Sequence, residues 1–128
     1  MDLAKLERWV EQLRKIGESH MPYVEVDGQM LSPEDLLREA RKNSPLWQKA
    51  RAVLGNPHLK SVPYEVLMKR IEQRAKEGRL LPVATIGGRV LTPQQQLEEI
   101  KKGTRIGQQL LLAEAAFIEE LEKRRAKL

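Results

Sequence analysis

The sequence has no cysteine among its 128 residues. Disulfide bonds, thiolate zinc sites and cysteine nucleophiles are therefore excluded together. Long apolar runs are missing as well: the longest, such as residues 110–113, have four residues, whereas a membrane-spanning helix needs about 20. The N-terminus interleaves acids and bases and lacks the basic start and apolar stretch of a signal peptide. We therefore expect an intracellular, cytoplasmic protein with no signal peptide and no transmembrane segment.

Aromatic residues are scarce, with one Phe, two Trp and two Tyr. Proteins that hold single strands by stacking need exposed aromatics, so that mode of binding is disfavoured. Positive charge is abundant instead: the net charge is +5, and residues 61–128 carry thirteen Lys and Arg against nine Asp and Glu. Such an excess of positive charge indicates a protein that binds nucleic acid or an acidic partner. A net charge of +5 is, however, also ordinary for a small domain that needs charge only for solubility. Many Lys, Arg and Glu without Cys also suit a thermophile.

No motif for catalysis, cofactor binding or metal binding is present. His20 and His58 lie in loop-like stretches, and their spacing matches no familiar metal site. The sequence has neither a phosphate-binding glycine loop nor a nucleophile elbow. Asp27 is the most tempting catalytic acid, but its repeat counterpart is Gly87, so a turn-forming role explains it better. We predict that the protein is not an enzyme and has no cofactor and no metal site.

The main feature of the sequence is an internal repeat. Residues 22–33 (PYVEVDGQMLSP) align with residues 82–93 (PVATIGGRVLTP) at an offset of 60, and the match continues without a gap to Gln48 and Gln108. Upstream, the offset is 61. Such periodicity indicates two copies of one structural unit. The predicted fold class is α+β, predominantly α-helical, built by tandem duplication of a helix–β-hairpin–helix–helix unit.

Each copy contains a two-residue turn signal between short apolar stretches. Asp27-Gly28 and Gly87-Gly88 both predict type I′ hairpins, which need positive φ at both positions. An isolated hairpin is marginal in water. The two hairpins could therefore join into a small four-stranded antiparallel sheet around a pseudo-twofold axis. Alternatively, each could lie separately against helices or complete the sheet of a neighbouring molecule.

Helix boundaries repeat in the same way. Ser32-Pro33 and Thr92-Pro93 each supply an N-cap followed by a proline suited to the first helical position. Asp35 and Gln95 then complete a capping-box pattern. Further helices are predicted at about 2–18, 45–54, 63–77 and 105–126. Residues 1–60 form unit one and residues 61–128 form unit two, in one compact pseudo-symmetric domain.

The last helix is longer than its counterpart in unit one, which stops at Gly55. Its apolar residues follow coiled-coil-like spacing at Ile106, Leu110, Ala113, Phe117 and Leu121. Its outer half either docks on another subunit or packs on the first helix or on the helix at 63–77.

Basic residues stand just before the last helix of each unit and at the C-terminus. A helix N-terminus attracts phosphate, although cations at these places also complement the end of the preceding helix. The predicted nucleic-acid-binding residues are Arg41, Lys42, Lys101, Lys102, Arg105, Lys123, Arg124, Arg125 and Lys127.

These features favour a non-enzymatic, basic structural protein that self-associates and contacts the nucleic-acid backbone without sequence preference. A nucleoprotein or a virion coat protein would fit, by analogy of size and composition only, and the protein would then also be virion-associated. The expected partners are DNA or RNA and a second copy, or a related chain in a hetero-oligomer, but no membrane. Two alternatives remain: a protein–protein assembly module that does not bind nucleic acid, and a small DNA-binding regulator.

Overall fold

A computed structural model describes residues 2–54 and 62–128 of the chain. The fold is mostly helical, at 65%, with two small antiparallel hairpins, so the predicted α+β, mainly α class is confirmed. The element order is α1 (Leu3–Lys15), β1 (Val24–Val26), β2 (Gln29–Leu31), α2 (Pro33–Lys42), α3 (Pro45–Leu54), α4 (Tyr64–Lys76), β3 (Val83–Ala84), β4 (Val90–Leu91), α5 (Pro93–Lys102) and α6 (Arg105–Ala126). Gly55, His58 and the boundary at residues 60 and 61 lie outside the described residues.

The first hairpin has the predicted turn. Val26 pairs with Gln29, so Asp27 and Gly28 alone form the connection. Their φ angles are 52° and 75°, as a type I′ turn requires. Tyr23 and Val26 are buried, and this hairpin therefore contributes to the main core.

The second hairpin differs from the type I′ prediction, which was wrong there. Ala84 pairs with Val90, and the Thr85 N–H donates to the Arg89 carbonyl at 2.7 Å. The connection therefore has three residues, 86–88, and only the last, Gly88, has positive φ (82°). This is the three-residue loop in which a type I turn is followed by a left-handed glycine. Side chains alternate between the two faces of a strand. A change of one residue in the pairing of a hairpin therefore moves the side chains of one strand to the opposite face.

The two hairpins do not join. In the described residues they form two separate two-stranded sheets, β1–β2 and β3–β4. The expected four-stranded sheet is therefore not formed, and the alternative of separate hairpins holds. Each hairpin instead leads directly into a helix, because Ser32 and Thr92 at the strand ends are also the N-caps of α2 and α5.

The predicted capping is confirmed in both units. The Ser32 and Thr92 hydroxyl oxygens accept from the Asp35 and Gln95 N–H groups at 3.1 and 3.2 Å, and both capping boxes are complete. At their C-termini, α2 and α5 end on a residue in the left-handed conformation, Asn43 and Gly103. The chain can therefore reverse at once into α3 and α6.

The core of the fold lies between α1, the first hairpin and α6. Trp9 is buried and meets the Tyr23 ring edge to face at 5.1 Å. The Trp9 indole N–H donates to the Leu121 carbonyl of α6 at 3.2 Å. The outer half of α6 thus packs on α1 within the chain, which is the second of the two arrangements considered for it.

The inward face of α6 shares Leu121 with the predicted seam but differs from it at the other positions, where Ala113 was expected inside. Ala113 is exposed. The buried residues are Gly107, Glu114, Ile118 and Leu121. The apolar pattern did not predict this face, because Gly107 and Glu114, which are not apolar side chains, occupy two of its positions.

Gly107 sets the distance between α5 and α6. A Cβ atom at this position would lie 2.3 Å from the Glu99 carbonyl oxygen, which is closer than packed atoms can approach. At the equivalent position of unit one stands Trp47, which is buried. In unit one α3 contacts β1 as well as α2, whereas α6 lies closely against α5, where Gly107 leaves room for the approach.

Candidate nucleic-acid interface

The corner between α5 and α6 brings three of the predicted cations together. Lys101 and Lys102 form the last turn of α5, Gly103 reverses the chain with φ 70°, and Arg105 begins α6. All three cations are exposed, and none of them pairs with an acidic side chain in the described part of the chain. Thr104 caps the start of α6 at this corner, because its hydroxyl oxygen accepts from the Gly107 N–H at 3.1 Å.

The equivalent corner in unit one is closer to neutral. Arg41 lies 3.6 Å from a Glu7 carboxylate oxygen, and Lys42 lies 3.8 Å from one of Glu39. Both cations are exposed, so these ion pairs are weak. They nevertheless reduce the local positive potential, and the two corners are not equivalent sites.

The C-terminal basic cluster splits into two kinds of residue. Lys123, Arg124 and Lys127 are exposed on the last turns of α6. Arg125 instead turns inward, where its Nε donates to Glu122 at 2.9 Å and a terminal nitrogen donates to the Leu54 carbonyl at 3.4 Å. The side chain of Arg125 is 15% exposed. Arg125 therefore ties α6 to the end of α3, whereas the other three remain available to solvent.

Glu122 also binds the buried hydroxyl of Tyr23, which donates to a Glu122 carboxylate oxygen. Burial raises the pKa of Tyr23 well above its usual value, and the negative charge of Glu122 raises it further. The phenol therefore stays protonated as a hydrogen-bond donor. This contact anchors the first hairpin to α6.

A buried cluster of charges lies between the two units. Arg70 of α4 is fully buried and donates to Glu18, which is 2% exposed, and to the Pro22 carbonyl at 2.7 Å. Arg74 binds the same Glu18 oxygen at 2.7 Å and also Glu114 of α6. The cluster thus connects the loop after α1 with α4 and α6.

The charges of this cluster nearly balance. Burial lowers the pKa of Arg70, and the charge of Glu18 opposes that effect. Arg79, at the rim, adds a third cation 3.4 Å from Glu18. Arg79 also lies 2.8 Å from a Glu77 oxygen, so three arginines face three carboxylates, those of Glu18, Glu114 and Glu77. The guanidinium groups are held on several sides by carboxylates and carbonyls, which suits a fixed structural junction.

The sequence did not predict this cluster. The repeat itself contained a signal. At the offset of 61, Arg70 aligns with the buried Trp9 and Arg74 with the buried Leu13. Two arginines at inward positions of an amphipathic helix indicate buried acidic partners. Nothing local, however, identifies those partners as Glu18 and Glu114.

The remaining candidate residues are engaged in ion pairs near the surface. His20 Nε2 lies 2.5 Å from a Glu77 oxygen. The Glu77 pKa is lowered to about 2 by hydrogen bonds from Gln73, Arg79 and His20, in that order. Asp27 accepts from Lys49 at 2.5 Å. Across residues 2–54 and 62–128, no group of three or more His, Asp or Glu side chains is arranged to hold a metal ion.

Comparison of the chain with protein-family models, with curated proteins and with solved structures finds no match. In the part of the chain that the structure describes, no helix combines the length and apolarity needed to cross a membrane.

Proposed function

We propose that this chain is a non-enzymatic structural protein that self-associates and contacts the phosphate backbone of nucleic acid. The observation that carries the proposal is the cationic corner of Lys101, Lys102 and Arg105. Three adjacent exposed cations without acidic partners in the described residues form a local positive potential that attracts phosphates and releases their counterions. Lys123, Arg124 and Lys127 would extend the contact.

The geometry also supports binding without sequence preference. Base readout needs a helix that projects side chains into a groove. The N-terminal turns of α3 and α6 instead direct Trp47 and Gly107 into the protein. Lysine and arginine at an exposed corner contact phosphates irrespective of sequence, which favours a coating protein over a small DNA-binding regulator.

A triple variant tests the assignment of the corner. Changing Lys101, Lys102 and Arg105 to Gln removes three charges from exposed positions, so the fold should be retained. We expect binding to a random-sequence duplex, measured by fluorescence anisotropy, to weaken strongly, and its dependence on salt to fall by about 0.9 in log–log slope for each lost phosphate contact.

A matched control removes the same charge elsewhere. Lys5, Arg8 and Lys15 are exposed on α1, and changing them to Gln lowers the net charge equally. If this control weakens binding as much as the corner variant does, net charge rather than a defined interface attracts nucleic acid. Equal binding by the corner variant and the unchanged protein would refute the assignment.

A second candidate function is a protein-assembly module that does not bind nucleic acid. Exposed apolar side chains on the second hairpin favour it, including Ile86 and Leu81. Absence of binding to both DNA and RNA at low salt, with retained self-association, would select this function. Strong preference for one duplex sequence would instead select a regulator.

Tandem duplication of the unit is also part of the proposal. The hydrogen bonds that end α1 and α4 recur at an offset of 61: Glu18 N–H to the Leu13 carbonyl, and Arg79 N–H to the Arg74 carbonyl. The capping boxes of α2 and α5 recur at an offset of 60. Shared caps at constant offsets support two copies of one unit.

A further inference from the structure

The last helix of unit two is much longer than its counterpart in unit one. Helix α6 has 22 residues, whereas α3 has 10. At a rise of about 1.5 Å per residue, α6 is about 33 Å long and α3 about 15 Å. The cationic corner of the proposed function lies at the start of α6, and Lys123, Arg124 and Lys127 lie at its end. Unit two therefore carries cations at both ends of one long helix.

The positive charge of α6 is confined to these two ends. Residues 106–122, which make up the rest of the helix, contain no Lys or Arg. Their exposed acids are Glu119 and Glu120, about one turn before Lys123. Because these acids repel phosphate, a polyanion is attracted to the ends of α6 and not to the segment between them.

Cations from the two ends lie on the same side of α6. Lys123 follows Arg105 by 18 residues, which is about five full turns, and Lys127 lies about 40° further round the helix. We call these three residues the cationic stripe. Gln109 and Leu112 lie between them on the same side and are exposed. A long, straight partner can therefore lie along this side of the helix.

The cations of the stripe have no acidic partners in the described part of the chain. None of Arg105, Lys123 and Lys127 forms an ion pair with a residue that the structure describes. The remaining residues, 1 and 55–61, include no Asp or Glu. The stripe thus presents full positive charges at its two ends.

The length of the stripe matches the repeat of duplex DNA. Arg105 and Lys127 are 22 residues apart, which is about 33 Å along the axis of α6. One turn of B-form DNA is about 34 Å long, so the phosphates of one strand return to the same side of the duplex at that distance. A flexible single strand has no such fixed spacing. A helix lying along the duplex axis would place its two ends over adjacent turns and its acidic segment over the groove between them.

We propose that α6 binds double-stranded DNA by bridging two successive turns. Arg105, with the adjoining Lys101 and Lys102, contacts phosphates of one turn, and Lys123 and Lys127 contact those of the next. The partner is then a duplex longer than one turn, which is about 10.5 base pairs. The inference rests on the proposed function and specifies the form of nucleic acid and the geometry of the contact.

Two DNA hairpins with random-sequence stems and the same loop test the bridge. Their stems have about 8 and about 14 base pairs, so that one is shorter and the other longer than one turn. The test variant combines Lys123→Gln with Lys127→Gln. The matched control combines Lys5→Gln with Lys15→Gln, which also removes two exposed lysines. Affinity is measured by fluorescence anisotropy across salt concentrations, with circular dichroism to verify folding.

Bridging predicts an effect that depends on the length of the stem. On the longer stem, loss of Lys123 and Lys127 should lower the slope of log affinity against log salt by about 1.8, because two phosphate contacts are lost. On the shorter stem, the corner alone binds phosphates, so the slope should equal that of the unchanged protein. The control variant should match the unchanged protein on both stems.

An equal loss on both stems, no loss on either stem, or the same loss in the control variant would overturn the bridge. The triple Gln variant at Lys101, Lys102 and Arg105 separates these results from a failure of the proposed function. If that variant lowers the slope on both stems while the Lys123 and Lys127 variant shows no dependence on length, the bridge is refuted and the corner contact stands. Absence of binding by the unchanged protein to either stem would refute both.

Discussion

Replacing Gly107 with alanine reverses the usual effect of that substitution in a helix. Alanine is ordinarily favoured over glycine in a helix interior by about 1 kcal/mol. At this position the new Cβ would lie 2.3 Å from the Glu99 carbonyl oxygen and 2.8 Å from the Ile100 Cα, whereas ordinary contacts begin at 3.4 Å. Both neighbours are backbone atoms, so α6 must move away from α5 by roughly 1 Å.

The expected magnitude follows from these opposing effects. Overpacking of this kind costs about 3 kcal/mol at the upper end of its usual range, and the gain in helix propensity offsets about 1 kcal/mol of it. We expect Gly107→Ala to lower the free energy of unfolding by about 2 kcal/mol. Urea denaturation followed by fluorescence of the buried Trp9 and Trp47 measures the change, with the slope of the transition unaltered.

Gly87→Ala is the matched control, because the nearest atom to its new Cβ, the Thr85 hydroxyl oxygen, lies 4.0 Å away. Its effect should stay within about 0.5 kcal/mol. If Gly107→Ala were as stable as the unchanged protein, the close crossing of α5 and α6 would be refuted.

Two further predictions concern the charged contacts. Arg70→Met removes a fully buried guanidinium and should lower the free energy of unfolding by about 3 kcal/mol, because the buried Glu18 carboxylate loses one of its cationic partners and the Pro22 carbonyl loses its donor. Arg38→Met, which removes an exposed ion pair, should cost less than about 1 kcal/mol, and equal losses would contradict the buried cluster. The lowered pKa of Glu77, about 2 against 4.5, means that its contribution to stability is present above pH 4.5 and is lost as the pH falls toward 2. Glu77→Gln should therefore reduce the loss of stability between pH 4.5 and pH 2, measured as the unfolding temperature at each pH. An unchanged dependence on pH would show that the hydrogen bonds from Gln73, Arg79 and His20 to Glu77 do not form.

Local features of the fold were predictable from sequence where one residue type fits one backbone conformation. Ser32 and Thr92 before proline fixed the first residues of α2 and α5, because few side chains cap a helix N-terminus. Asp27-Gly28 predicted the first turn because few residues other than Asp, Asn and Gly adopt the positive φ angles of a type I′ turn. Gly87-Gly88 did not predict the second turn, since glycine allows several conformations and the register of short strands is weakly specified.

Long-range features were not predictable, because no local pattern states which elements meet. The inward face of α6 was misplaced since Gly107 and Glu114 resemble solvent-facing residues when only the apolar pattern is read. The burial of Glu114 depends on Arg70 and Arg74, which lie on α4 far away in the sequence. For the candidate interface, the sequence indicated cations near helix ends. Only the fold separates Lys101, which forms no ion pair with any residue that the structure describes, from Arg125, which binds Glu122.

The salt dependence of binding to nucleic acid tests the central claim most directly. Affinity of the unchanged protein for a random-sequence DNA duplex and a matching RNA is measured across salt concentrations by anisotropy. Phosphate contact through Lys101, Lys102 and Arg105 predicts a linear fall of log affinity with log salt, with a slope of about −3 or steeper on duplex DNA. Absence of binding to either nucleic acid at low salt, or affinity independent of salt, would contradict the account.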